Sequence, residues 1–170
     1  LRTIFLPEEE TSLVLLAAPP AAPQEPATAI PLPEHPRPDF QRAEWMNLNG
    51  DWAFRFDRDG SGERERWFEG VPTGFPLTIR VPFSWGSRLS GVPDEADVAW
   101  YARTVRVPEG WKGKRVFLVV GASDWRTSGW LDGEPIGSHQ GGYTPFELEL
   151  TKAANPGRDQ KLVLRVDDTP

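Results

Sequence analysis

Residues 130–150, WLDGEPIGSHQGGYTPFELEL, decide the fold. Asp132-Gly133 is the signature of a type I′ turn, which needs φ > 0 at both central residues. Trp130 and Leu131 lead into that turn and Ile136 leads out, so a β-hairpin is expected here. Gly137, Gly141 and Gly142 surround His139 and Gln140 and supply the backbone freedom for a sharp bend. Beyond it, Phe146, Leu148 and Leu150 alternate with Glu147 and Glu149. A period of two describes a strand with one buried and one solvated face.

The same pattern runs outward in both directions. Leu48-Asn49-Gly50-Asp51 reads as a turn, after which Trp52, Phe54 and Phe56 alternate with smaller or charged residues: a strand. Asp57 to Gly62 is a polar loop, and Glu63 to Glu69 is expected to form one helical turn anchored by Trp67 and Phe68. Thr78 to Val81 is a short strand ending at Pro82, and Phe83 to Asp97 a long loop. Trp100 to Val107, Lys114 to Gly121, Ser123 to Leu131 and Lys161 to Val166 complete the strands. The run KRVFLVVG (114–121) is almost continuously apolar, which predicts a central strand covered on both faces. Short strands between Gly/Pro turns, with almost no helical period, specify an all-β sandwich.

Composition divides the chain in two. Nine of the 18 prolines lie in residues 1–40, whereas all eight tryptophans follow residue 44. Residues 1–38 are therefore expected to be an extended or disordered Pro-rich segment, a linker or a strap over the domain, since proline lacks the N–H and fixes φ. Residues 39–170 form the folded domain. The net charge of −6 argues against nucleic acid and anionic membrane surfaces as partners. With no cysteine there is no disulfide framework and no thiolate chemistry. No apolar run approaches the ~18 residues that span a bilayer. Leu13 to Ala18 is apolar but follows Glu8, Glu9 and Glu10, the wrong charge for a signal peptide, and the compartment is left unassigned. The first residue is Leu, so a fragment or processed product is expected.

Four segments, in order, resemble one known family: Trp45 to Trp52 (WMNLNGDW), Val81-Pro82, Trp100-Tyr101-Ala102-Arg103, and His139 to Phe146 (HQGGYTPF). Over residues 36–169 the chain resembles the N-terminal, jelly-roll, sugar-binding domain of family 2 glycoside hydrolases, the β-galactosidases, β-glucuronidases and β-mannosidases. The resemblance implies a galactose-binding-domain-like sandwich that is non-catalytic. It would support a catalytic barrel elsewhere in the same polypeptide and shape its sugar pocket. Retaining hydrolysis needs two carboxyl groups about 5 Å apart, and in this family both lie in that barrel. No catalytic residue, cofactor or metal ligand is therefore expected here. The family's sugar-contacting aspartate follows the strand matched by Lys161 to Val166. Asp167 and Asp168 do not match its motif, and the closing strand would also come later. Lys161 to Val166 is thus expected to lack a neighbour, leaving an open edge prone to homo-oligomer formation.

Carbohydrate is the expected ligand, with Trp85, Asp94 and Asp97 as candidate contacts. Trp85 and the acids lie in the long loop, although loop acids are ordinarily just solvated. Trp100, Tyr101, Trp125 and Tyr143 are further stacking candidates, against the ordinary fate of sandwich aromatics as core, favoured for Trp52, Trp100 and Trp130. Structural roles fall to Arg103, Gly133, His139, Gly141, Gly142 and Tyr143. Arg103 shares a strand face with inward residues. Its guanidinium then meets a carboxylate or carbonyls, or snorkels to water along an edge. The readings that compete with the enzyme domain are a free-standing carbohydrate-binding module and an interaction domain without sugar affinity.

Overall fold

In a computed structural model, residues 30–34, 44–70 and 74–169 are described. The segment Leu13 to Ala18, His35 and the boundary at Asp39 lie outside them. Eight strands form two sheets: β1 (Gly50–Phe56), β2 (Leu77–Val81), β3 (Val98–Arg106), β4 (Phe117–Val120), β5 (Arg126–Leu131), β6 (Glu134–Gln140), β7 (Phe146–Glu149) and β8 (Asp159–Asp167). The larger sheet has the order β2-β1-β3-β8-β5-β6 and the smaller one is β4-β7; every pairing is antiparallel. This is the expected all-β sandwich.

Strand alternation sorts the side chains. Trp52, Phe54, Tyr101, Val105, Leu131, Leu162 and Val166 face inward and are buried with Leu118, Phe146, Leu148 and Leu150 of the second sheet. Leu148 reaches the larger sheet where it has no side chains. A Cβ at Gly129 would stand 3.0 Å from Leu148 Cδ1, and one at Gly137 3.4 Å from Cδ2. These glycines let the two backbones approach.

The outer face of the larger sheet is also covered. The excursion between β1 and β2 folds back over it, a single 3-10 turn at Trp67–Glu69. Trp67, Trp100, Ala102 and Val163 are buried there, with Phe68, Phe75 and Trp130 packed against them. Trp130 stacks between Phe68 (5.5 Å) and Trp100 (5.4 Å). The Arg55 guanidinium lies 3.5 Å above the Trp67 ring. Trp100, fully buried, donates from Nε1 to the buried Asp57 carboxylate at 3.0 Å.

Three expectations change. KRVFLVVG is not central: β4 pairs only with β7, and Val119 is 57% exposed. Alternation puts Leu118 inward and Val119 outward, which a run of apolar residues conceals. β8 does not lack a neighbour, because it sits between β3 and β5; the expected open edge beside Lys161 to Val166 is absent. The bend, finally, begins later than Gly137. β6 runs straight through His139 to Gln140, since pairing with β5 holds it extended.

The hairpin itself is as expected, with Asp132 at φ 51° and Gly133 at φ 83°. Asp132 also clamps the start of β8. Its carboxylate accepts from Lys161 N (2.6 Å) and Gln160 Nε2 (2.9 Å). Arg103 resolves to the inward alternative. One guanidinium nitrogen donates to the carbonyls of Leu48 (2.7 Å) and Asn49 (2.9 Å), and Trp52 Nε1 donates to Leu48 O as well (2.8 Å). Partial burial lowers the Arg103 pKa, against the pull of Asp51. The turn so fixed presents Asn47 and Asn49, whose amides donate to the carbonyls of Leu32 (2.8 Å) and Pro31 (3.0 Å). Pro31 is buried, so part of the Pro-rich segment is a strap on the domain.

Candidate functional site

Antiparallel pairing brings four strand ends to one end of the sandwich. Val98 opposes Asp167, Arg126 opposes Asp167, and Arg126 opposes Gln140. The residues one step beyond these ends are tied by backbone hydrogen bonds: Asp168 N to Asp97 O (2.7 Å), Trp125 N to Asp167 O (3.0 Å) and Gly141 N to Trp125 O (2.7 Å). The end of β1 joins them, through Asp57 N to Val98 O (2.8 Å). This end therefore gathers Asp97, Asp124, Trp125, Asp168 and the 141–143 bend.

The local sequence explains the shape. A Cβ at Gly142 would overlap the Asp124 carboxylate, so only glycine lets the bend pass beneath it. Gly141 adopts φ 127°. The His139 ring stacks on Phe146 (4.2 Å between centroids, 11° between planes). Its Nε2 is buried without a partner among the described residues. His139, Gly141 and Gly142 thus have the structural roles expected of them. Tyr143 does not. It is 91% exposed, so it braces nothing in this chain, and its ring is displayed to solvent beside Gly142. Trp125 is 42% exposed.

The carboxylates repel one another. Partial burial raises the Asp168 pKa first, and the charges of Asp124, Asp97 and Asp167 raise it further. The acids do not converge as metal ligands: among the described residues no three His, Asp or Glu are placed to hold an ion. What the arrangement offers is hydrogen-bond acceptors beside exposed aromatic faces, chemistry suited to hydroxyl groups and C–H surfaces.

The residues expected to touch carbohydrate are divided. Asp97 lies at this end. Asp94 is exposed and paired with Arg58, which also donates to Glu95 O (3.0 Å). Trp85 leans on Phe54, Phe56 and Tyr101, with centroids 6.1, 6.3 and 6.2 Å away, and so closes the inner core. Trp100 and Tyr101 are buried, and burial drives the Tyr101 hydroxyl pKa strongly upward. Asp124 escaped sequence reading altogether. Its place beside Asp97 and Asp168 depends on strand order, which no local pattern encodes.

The match to the family model described as glycosyl hydrolases family 2, sugar binding domain, covers residues 45–168. The chain belongs to that family. All four segments that carry the resemblance fall within the match. Among curated relatives, a protein of Paenibacillus borealis named beta-glucuronidase is 31% identical over 132 residues, 76% of this chain and 22% of the relative. A beta-galactosidase of Thermoanaerobacter pseudethanolicus is 35% identical over 127 residues, 69% of this chain and 16% of the relative. Among solved structures, Lactobacillus rhamnosus beta-glucuronidase superposes with a TM-score of 0.64 at 30% identity, covering 72% of this chain and 21% of that one. A Ruminococcus gnavus β-glucuronidase in complex with C6-substituted uronic isofagomine gives 0.66 at 27% identity. The chain thus spans between 16% and 22% of the length of these relatives. Among the described residues no helix is long and apolar enough to cross a membrane.

Proposed function

We propose that this chain is the non-catalytic N-terminal domain of a retaining β-glycoside hydrolase of the β-glucuronidase or β-galactosidase kind. It supports a catalytic barrel in the same polypeptide, and its loop end shapes the rim of that barrel's sugar pocket. The observation that carries the reading is the loop end itself, where the exposed Trp125 and Tyr143 stand beside Asp97, Asp124 and Asp168. Aromatic faces and carboxylate acceptors are the groups a rim needs to hold a pyranose, and half-exposed aromatics are typical anchors of an interdomain contact. The relatives agree with it, since each is a named glycosidase several times longer than this chain.

Two measurements test the reading. The 170-residue chain should not turn over aryl β-glucuronides, β-galactosides or β-mannosides. In the polypeptide carrying the catalytic domain, Trp125→Ala and Asp168→Ala should raise KM or lower activity without unfolding the sandwich. Turnover by the chain alone, lost on changing one of its carboxylates, would overturn the assignment. So would full activity and unchanged KM in both variants.

A further inference from the structure

A second concave feature lies on the outer face of the larger sheet, at the end opposite the loops just described. It is a groove of about 330 Å³, formed by Asp51, Ala53, Phe75, Ala102, Thr104 and Lys161, among others. Strand register explains it. Ala53 opposes Ala102 and Ala102 opposes Val163, one row across three strands. Thr104 opposes Lys161 in a second row, which Asp51 extends on β1. The two alanines make a low floor just where the cover supplied by Trp67 and Phe68 ends. Phe75, half-buried against that cover, forms one wall. The polar row forms the other.

Lys161 is held in place rather than left to wander. Its Cβ and Cγ lie against Gly70, where an added Cβ would stand 3.2 Å from each. Its backbone N–H is held by Asp132. Its ammonium donates to Thr104 Oγ1 at 2.9 Å, a hydroxyl and not a carboxylate. A positioned ammonium whose partner is neutral retains its affinity for an anion. Two strands away, the exposed Asp51 carboxylate offers acceptors for hydroxyl groups. The groove therefore presents, within the span of three strands, a cation, a carboxylate, a hydroxyl and an aromatic wall over an apolar floor. Its volume is at the small end of ligand sites, enough for one ring and not for a chain of them.

We propose that this groove binds a single hexuronate unit. The sugar carboxylate meets Lys161 Nζ, ring hydroxyls meet Asp51 and Thr104, and a C–H face lies on Phe75 and the alanine floor. The site is separate from the loop end and does not depend on the reading given for it.

Amide chemical-shift titration of the 170-residue chain with sodium D-glucuronate, D-glucose and acetate tests it. Glucuronate should give saturable shifts clustered at residues 51–53, 102–104 and 161, with Kd on the order of 1 mM. Glucose should bind at least about tenfold more weakly, as loss of one ammonium–carboxylate contact implies. Lys161→Met and Phe75→Leu should each weaken glucuronate by a similar factor, with Thr104→Val as the substitute if either fails to fold. Trp125→Ala should change nothing. Acetate binding as tightly as glucuronate would make the groove an anion site and overturn the saccharide assignment. Absence of saturable shifts, or shifts clustered at Asp97, Trp125 and Gly141 instead, would overturn the site.

Discussion

Asp57→Ala should be among the most damaging single changes in this domain, although Asp57 lies at the mouth of a polar loop. Its carboxylate is buried and accepts from two buried donors, Trp100 Nε1 (3.0 Å) and Gly62 N (3.2 Å). A hydrogen bond to a charged acceptor contributes about 1.5–3 kcal/mol, and a buried donor left without a partner costs about 1–3 kcal/mol. Against this stands the relief of a buried charge, whose desolvation partly cancels those contributions. The net expectation is a loss of about 2–4 kcal/mol, or roughly 5–15 °C in Tm for a chain of this size. Urea unfolding followed by tryptophan emission and by circular dichroism measures it, as a lower midpoint with an unchanged slope. Trp100→Phe removes the indole donor from the other side. In a double-mutant cycle the pair should couple by about 1–3 kcal/mol. A loss under about 0.5 kcal/mol for Asp57→Ala, the level of an ordinary surface change, or full additivity in the cycle, would refute the reasoning.

Arg103→Met should cost about 1–3 kcal/mol, since a charged donor to two carbonyls is lost; it should also free the strap, seen as faster proteolysis before Asn47. Retention of both stability and strap protection would return Arg103 to the snorkelling alternative. Gly133→Val should destabilise by about 1–3 kcal/mol, because a β-branched residue resists the φ of 83° found there, and a change within the range of surface substitutions would count against the hairpin. The pKa of Asp168 is raised by folding, so its ionised form opposes folding once pH exceeds the folded value. Asp168→Asn should therefore raise Tm at neutral pH, with the gain shrinking as pH falls through the carboxylate range; a lower Tm at neutral pH would contradict this. In hydrogen exchange, amides of β3 and β8 should be protected more than those of β4 and β7 by at least about tenfold. Equal protection that depends on protein concentration would instead mean that the small sheet pairs with a second copy.

The sequence was legible wherever a local rule has only one solution. Asp132-Gly133 specifies a turn whatever surrounds it, and alternation at Trp52-Phe54-Phe56 and Phe146-Leu148-Leu150 assigns faces directly. Strand order is another matter, because it depends on which edges meet. The KRVFLVVG run resembles a central strand by composition, yet its four paired positions lie in the two-stranded sheet. Lys161 to Val166 looks like a terminal strand by position, yet it is inserted between β3 and β5. The candidate site suffers from the same dependence. Asp97 was visible because it sits in a long loop, whereas Asp124 and Asp168 become its neighbours only through three antiparallel pairings.

The eight tryptophans show how a surplus of one residue type encodes more than a core. One sandwich interior does not need them all, and the larger sheet buries two faces instead of one. Trp52 serves the inner face, while Trp67, Trp100 and Trp130 build the outer core under the 57–76 excursion. That second core is thin, so each member is fixed by polar contacts as well as packing. Asp57 holds Trp100, Glu65 accepts from Trp67 Nε1 at 3.0 Å, and Arg55 stacks on Trp67 while donating to Gly74 O at 3.2 Å. Gly62 must be glycine for the excursion to close over it, since a Cβ there would stand 2.5 Å from Trp100 Nε1. The cover ends at Phe75, and the two alanines beyond it leave the sheet bare. A fold that spends three tryptophans sealing one half of a sheet face and places only alanine, threonine and lysine on the other half has left that half open to a ligand of its own.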